Sequence, residues 1–298
     1  MLEILSHSGP ARLGIWHYTD KKIPTPNFLL NITPLTRRIE HDIYIAPHRT
    51  HTSREPLLVH YGTIAGRARI GRFGILPYSG FGFDIPRELA EAGVEETLAL
   101  AELYPGYGAV VDGGRYPDLR EHCARKLSRR ALLCIAGGSK LCQRPGLLVE
   151  IVTRIREAVK PNTVLYLPGA PPALMPVLAY MGVDLFDSSH AIRAAIRGHY
   201  LTRHESYPVD RIKELPCSCR VCISGSAERL RNSTNLLVKH NILQLLELVG
   251  EIRESLRHRR FIKLLESCAT TSPHAMAALR ILYREKHTFL EKYTPAIP

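Results

Sequence analysis

The hydrophobic positions of this chain fall into short apolar runs that close on glycine, serine or aspartate, separated by stretches with helical spacing. Leu57-Leu58-Val59-His60-Tyr61 closes on Gly62, Phe73-Gly74-Ile75-Leu76 near Tyr78-Ser79-Gly80, and Ala109-Val110-Val111 on Asp112-Gly113-Gly114. Leu132-Leu133-Cys134-Ile135 closes on Ala136-Gly137-Gly138, Val164-Leu165-Tyr166-Leu167 on Pro168-Gly169, and Val183-Asp184-Leu185-Phe186 on Asp187-Ser188-Ser189. Such runs fit parallel strands buried on both faces. Residues 11–16 and 28–32 read as further strands. Residues 34–55, rich in Arg, His and Thr, have weak periodicity and receive no element.

Between the runs, residues 87–103, 119–127 and 147–159 place apolar side chains three to four apart, the helical period, and 172–181 reads as a helix with proline near its start. Strand–helix alternation, with at least six units in about 200 residues, predicts an α/β fold of the (β/α)8 TIM-barrel type; a doubly wound open sheet is the alternative. After residue 190 the pattern changes. A short basic helix (191–198) leads into a polar, turn-rich stretch. Then come three clustered cysteines, one long helical run over 235–268 and a final helix over 273–293. The expected organisation is 1–200 as the main part of the barrel, 201–245 as an inserted zinc-binding subdomain, and 246–298 as helices completing the barrel.

The 298 residues are 45% hydrophobic, enough for a substantial core. A net charge of +12 points to a polyanionic partner, nucleic acid before membrane. No apolar run reaches the ~18 residues of a membrane span. No basic-then-apolar leader opens the sequence, so a cytoplasmic location is expected.

Cys217, Cys219 and Cys222 in Cys-x-Cys-x-x-Cys spacing can converge from one loop, and His240 is the nearest histidine downstream. Four S/N donors of this kind suit structural zinc, with no open position for substrate. Cys268 is a weaker fourth ligand; it and Cys123, Cys134 and Cys142 read as core or surface thiols. In a barrel, chemistry sits at the C-terminal strand ends, which selects Asp187 and Asp112 as candidate catalytic carboxylates. The alternative for either is a helix cap. Ser79, Gly80, Gly113, Gly114, Gly137, Gly138 and Gly169 are the candidate substrate-binding positions around them.

The segment from Met181 through Gly182-Val183-Asp184-Leu185-Phe186-Asp187-Ser188, the three cysteines, Lys239-His240-Asn241, and Asp112-Gly113-Gly114-Arg115-Tyr116-Pro117-Asp118-Leu119-Arg120-Glu121 together resemble the tRNA-guanine transglycosylase superfamily. The resemblance runs from about residue 8 to 295 and implies a zinc-containing (β/α)8 barrel acting on 7-deazaguanine bases in tRNA. It carries the zinc ligands onto Cys217, Cys219, Cys222 and His240, and the nucleophilic aspartate onto Asp187. Two positions depart from it. Tyr78, before Ser79-Gly80-Phe81, stands where base-exchanging members have a second essential aspartate, and Asp84 is off register. Asp112 stands where those members read the base with glutamine.

The closer resemblance is to the archaeosine synthase alpha subunits, carried by Ala11-Arg12-Leu13-Gly14, by Tyr180 to Ser188 and by the ending Leu290-Glu291-Lys292-Tyr293-Thr294-Pro295. It implies addition of an amine, lysine, to the nitrile of the base preQ0 at position 15 of tRNA. It also implies archaeosine biosynthesis as the setting; exchange of guanine for preQ0, or tRNA binding without chemistry, is the alternative. Full-length members of that group end in an RNA-binding PUA domain. This sequence stops before one, so a second subunit supplying it, or a radical-SAM partner, is expected. A homo- or hetero-dimer through the zinc region is expected as well.

Overall fold

A computed structural model describes residues 1–203 and 205–293. Strands β1 (Leu2–Ser8), β2 (Ala11–Tyr18) and β3 (Lys21–Thr25) form an antiparallel sheet. Eight parallel strands follow: β4 (Asn27–Asn31), β5 (Tyr44–Pro47), β6 (Leu57–His60), β7 (Gly74–Ile75), β8 (Ala109–Val111), β9 (Leu132–Ile135), β10 (Val164–Tyr166) and β11 (Leu185–Asp187). β11 pairs with β4 in parallel, Phe186 opposite Phe28. β7 meets β8 through Leu76 N–H on Gly108 O (2.9 Å) and Gly108 N–H on Gly74 O (3.0 Å), which closes the ring. The protein is therefore a (β/α)8 barrel.

Side-chain alternation divides its strands between two cores. Leu29, Ile45, Leu58, Ile75, Val110, Cys134 and Tyr166 fill the barrel interior. Their sequence neighbours Phe28, Leu30, Val59, Val111, Leu133, Leu165 and Phe186 face the helices. Leu2, Trp16, Tyr18 and Ile23 of the N-terminal sheet join the interior cluster. Burying each is worth about 1.5–3 kcal/mol. Tyr18 Oη donates to Leu57 O at 2.6 Å, at the start of β6, so this sheet plugs the N-terminal end of the barrel. The opposite, C-terminal end stays open.

The helices are α1 (Arg87–Leu103), α2 (Pro117–Lys126), α3 (Gly138–Leu141), α4 (Pro145–Ala158), α5 (Met175–Tyr180) and α6 (Ser189–Ile196). A strand pair follows, β12 (His199–Leu201) and β13 (Ser206–Pro208). Then come α7 (Arg220–Ile223), α8 (Ala227–Arg231), α9 (Thr234–Arg257), α10 (Phe261–Ala269), α11 (Pro273–Glu285) and α12 (His287–Tyr293). The connections after β4, β5 and β6 contain no α-helix. Among the described residues, no helix is long and apolar enough to cross a membrane.

Two predicted helices are each two. The run over 235–268 breaks at Arg259, whose φ of 56° is left-handed, and Arg260 N–H turns back to Ser255 O at 2.7 Å. Fully buried Phe261 then starts α10 in a new direction. The run over 273–293 breaks at Lys286, and Thr294-Pro295 of the closing motif lie outside the described residues. An expected boundary at 245 falls within α9, which Ser233 caps by accepting from Leu236 N–H at 3.3 Å.

A buried ion pair ties the plug to the barrel. Arg12 of β2 donates from Nε to Asp184 Oδ1 (2.9 Å) and from Nη2 to Asp184 Oδ2 (2.5 Å) and Thr163 O (3.0 Å). Asp184 Oδ2 also accepts from Leu165 N–H at 2.8 Å. The aspartate of Gly182-Val183-Asp184 thus holds architecture three residues before the candidate catalytic one.

Candidate active site and metal centre

β11 ends inside the open end of the barrel on Asp187, 4% exposed. Its Oδ2 accepts from Tyr166 Oη at 2.8 Å. Its Oδ1 accepts from Gly169 N–H (3.0 Å), Ser189 N–H (3.0 Å) and Ser189 Oγ (2.6 Å). Four donors from β10, the following loop and α6 fix the carboxylate in one orientation. Beside it lies a cavity of about 210 Å³ lined by Asn31, His60, Gly62, Tyr78, Cys134 and Tyr166 among others. That is about seven water volumes, room for a small ring system.

The titratable neighbours are tuned by burial first. Burial, with Asp187 next, raises the Tyr166 phenol well above its ordinary range. Burial and then Asp112 raise Tyr78. Burial and then His48 lower His60, against Asp187, which favours its charged form. Tyrosines stay protonated and His60 stays neutral near pH 7.

Asp112 does not line this cavity. Its Oδ2 accepts from Ser79 Oγ at 2.5 Å and its Oδ1 from Gly113 N–H at 2.8 Å. Ser79 N–H in turn donates to Thr97 Oγ1 of α1 at 3.1 Å. Asp112, Ser79 and Gly113 therefore form one locked cluster next to the cavity. Beneath it Arg120, 1% exposed, donates to the carbonyls of Gly114 (2.8 Å), Val111 (3.1 Å) and Ala136 (2.7 Å), stitching β8 to β9. Burial pulls this guanidinium down to about 10. Asp84 pairs with Arg144 at 2.6 Å on the surface and does not line the cavity.

The candidate glycines are packed against protein. A Cβ on Gly138 would lie 2.2 Å from Pro168 O, one on Gly169 2.0 Å from Ser139 Oγ, one on Gly137 2.8 Å from the Phe83 ring, and one on Gly80 2.3 Å from Thr63 Cγ2. On Gly113 and Gly114 it would meet Arg120 N at 3.0 Å and Phe83 O at 3.2 Å. Gly62 lines the cavity with nothing within 4 Å of that position.

Tyr166, His60 and Gly62 were not singled out from the sequence. The first two carried a signal: a tyrosine at an inward position of a buried strand requires a polar partner, and a histidine closes an apolar run as Asp187 does.

The second constellation lies outside the barrel. The ligand atoms of Cys217, Cys219, Cys222 and His240 all fall within 4.8 Å of one another. Cys219 Sγ and Cys222 Sγ lie 3.4 and 3.3 Å from His240 Nδ1. His240 Nε2 is 2.7 Å from Leu201 O; as donor to that carbonyl it leaves the Nδ1 lone pair facing the sulfurs, the tautomer a metal requires. Tyr200 stacks on the imidazole at 3.8 Å and Gln244 Nε2 donates to Cys217 Sγ at 3.2 Å. The four donors are arranged to hold a metal ion. Cys268 is buried in α10 and does not belong to the group; Cys123, Cys134 and Cys142 are buried too.

The open end of the barrel is bordered by basic loops. Arg67 and Arg69 after β6, and Lys140 and Arg144 after β9, are exposed, and neither loop contains an acid.

Comparison with known proteins agrees with this frame. Residues 94–274, more than half of the chain, match the queuine tRNA-ribosyltransferase (TGT) family. The chain is 30% identical over 194 residues to a tRNA-guanine(15) transglycosylase of Methanosarcina acetivorans, covering 62% of this chain and 39% of that protein. It is 30% identical over 229 residues to that of Thermococcus kodakarensis (71% and 39%) and 27% identical over 230 residues to that of Methanopyrus kandleri (72% and 50%). The matched part thus spans half or less of each relative's length. With the family match placed on a closed parallel barrel and its Cys3His group, the chain belongs to the queuine tRNA-ribosyltransferase family, within the tRNA-guanine transglycosylase superfamily.

Proposed function

We propose that this protein modifies tRNA by the archaeosine-type route: a primary amine, lysine, adds to the nitrile of preQ0 already present at position 15. The observation that carries this reading is the carboxylate inventory of the cavity. Asp187 is its one lining carboxylate among the described residues, and Tyr78 lines the wall. Asp112 is held by Ser79 and Gly113 outside it. Base exchange needs a carboxylate free to attack the ribose C1′, and here Asp187 already accepts four hydrogen bonds. Addition to a nitrile breaks no glycosidic bond, so an oriented Asp187 can position the ribose or the amine instead. The Asp112-Gly113-Gly114 loop, with Ser79, Gly80, Gly137, Gly138 and Gly169, would support the residues that line the base site from behind.

Cys217, Cys219, Cys222 and His240 are read as a zinc site. Soft thiolates with one imidazole are a zinc donor set, and four protein ligands leave no place for substrate. Zinc there would dock α9 onto β12 and the cysteine loop. The basic loops after β6 and β9 would take the tRNA backbone. A dimer, and a second chain bringing a PUA domain or radical-SAM chemistry, belong to the same proposal. So do the division at 201 and 245 and a cytoplasmic site of action.

A second reading, a tRNA-binding subunit without chemistry, draws on the same hydrogen bonding of Asp187. Incubation of zinc-loaded protein with preQ0-tRNA, lysine and labelled guanine, followed by nucleoside mass spectrometry, separates the readings. A lysine adduct supports amine addition, uptake of labelled guanine supports base exchange, and binding without product supports the binding subunit.

A further inference from the structure

His60 ends β6 at the open end of the barrel, and its imidazole lines the cavity beside Asp187, Tyr78, Tyr166 and Cys134. Its backbone is fixed, since His60 O accepts from His48 N–H at 3.1 Å. Its ring is not engaged: among the described residues no hydrogen bond reaches either ring nitrogen. Asp187 and Tyr166, by contrast, are bonded to each other.

The neighbours decide what an open imidazole can do here. Burial raises the Cys134 thiol and the Tyr78 phenol, so both stay protonated and neither accepts a proton near neutral pH. Burial and His48 keep the His60 imidazole neutral with a lone pair available, while Asp187 stands ready to stabilise its protonated form. A neutral base facing a fixed carboxylate is the arrangement proton transfer requires.

We propose that His60 is the proton-transfer group of this cavity, a role that rests on the amine-addition reading above. As the amine nitrogen bonds to the nitrile carbon, one C–N π bond breaks and its electrons go to the nitrile nitrogen. His60 takes the proton that the new ammonium nitrogen releases and delivers a proton to that nitrile nitrogen, giving a neutral amidine. Atoms and charge balance without oxidant, reductant or leaving group.

Single-turnover assays with preQ0-tRNA and lysine test this, reading adduct by mass spectrometry and tRNA binding separately. In H60A the rate constant for adduct is expected to fall roughly 10²–10⁴-fold, with tRNA binding retained and part of the rate restored by added imidazole. The wild-type rate is expected to fall at pH below the lowered histidine value, and H60A to lack that limb. Adduct at the wild-type rate in H60A, with the wild type active, overturns the role of His60 and leaves amine addition standing. Loss of tRNA binding in H60A without imidazole rescue assigns His60 a structural role and overturns the proposal too. Absence of adduct from wild-type protein that binds the tRNA removes both.

Discussion

Tyr166 donates its hydroxyl to Asp187 Oδ2 at 2.8 Å, joining the ends of adjacent strands β10 and β11 inside the barrel. The bond explains why a tyrosine is tolerated among the inward-facing residues and why the aspartate has one fixed orientation. Tyr166→Phe leaves that oxygen short of a donor in a buried site. The expected cost is about 1–3 kcal/mol, read as a shift of the urea midpoint at unchanged slope. A midpoint equal to wild type would mean the bond does not hold in solution.

The buried Arg12–Asp184 pair makes a sharper stability prediction. Asp184→Ala strands a guanidinium that is 7% exposed and removes the acceptor for Leu165 N–H. The expected loss is about 3–5 kcal/mol, with part recovered when Arg12 is replaced by Met in the same chain. Chemical denaturation of the two variants checks the loss and its partial recovery.

Metal removal is expected to act on one region. Purified protein should carry one zinc per chain by elemental analysis, and Cys222→Ser or His240→Ala should lower that content. Chelation should reduce the melting temperature and open 199–245 to protease before the barrel, because His240 bridges the cysteine loop and Leu201. Full stability with no bound metal would remove the zinc reading.

Stability should fall as pH drops from about 7 to about 5. His190 is pulled down to about 4 by burial and then by Arg193, and burial also lowers His41 and His60. Below the unfolded value of 6.5 the unfolded chain binds protons that the folded chain refuses, so acid favours unfolding. His190→Asn should flatten the fall in denaturant midpoint between these two pH values.

Replacing Arg67 and Arg69 with alanine should weaken tRNA binding and lower the magnitude of its log–log salt slope by roughly 0.7–0.9 per lost phosphate contact. Folding should not change, since both side chains are exposed. An unaltered slope would place the tRNA elsewhere.

The sequence was most legible where information is local. Cys217, Cys219, Cys222 and His240 converge as their spacing implies, and Asp187 sits at the end of its strand because apolar runs of this length have one way to end in a barrel. Tertiary facts were hidden. β5, four residues long between polar loops with no helix beside it, has no periodicity to detect. Arg259 breaks a helical pattern through a backbone turn that its residue type does not advertise. The glycines read as candidate substrate-binding positions include three that pack against Phe83, Pro168 and Ser139, all distant in sequence. Asp112, equivalent to Asp187 by strand-end logic, is turned to Ser79 by a contact that only the closed barrel creates.

Whether the base stays on its ribose is the most direct test. Wild-type protein is supplied with tRNA whose position-15 preQ0 is isotopically labelled, together with lysine and an excess of unlabelled free preQ0. The expected result is a tRNA nucleoside that keeps the label and gains the mass of lysine, with none of the label in the free base. Labelled preQ0 released into solution and replaced by unlabelled base would contradict amine addition and assign base exchange to Asp187.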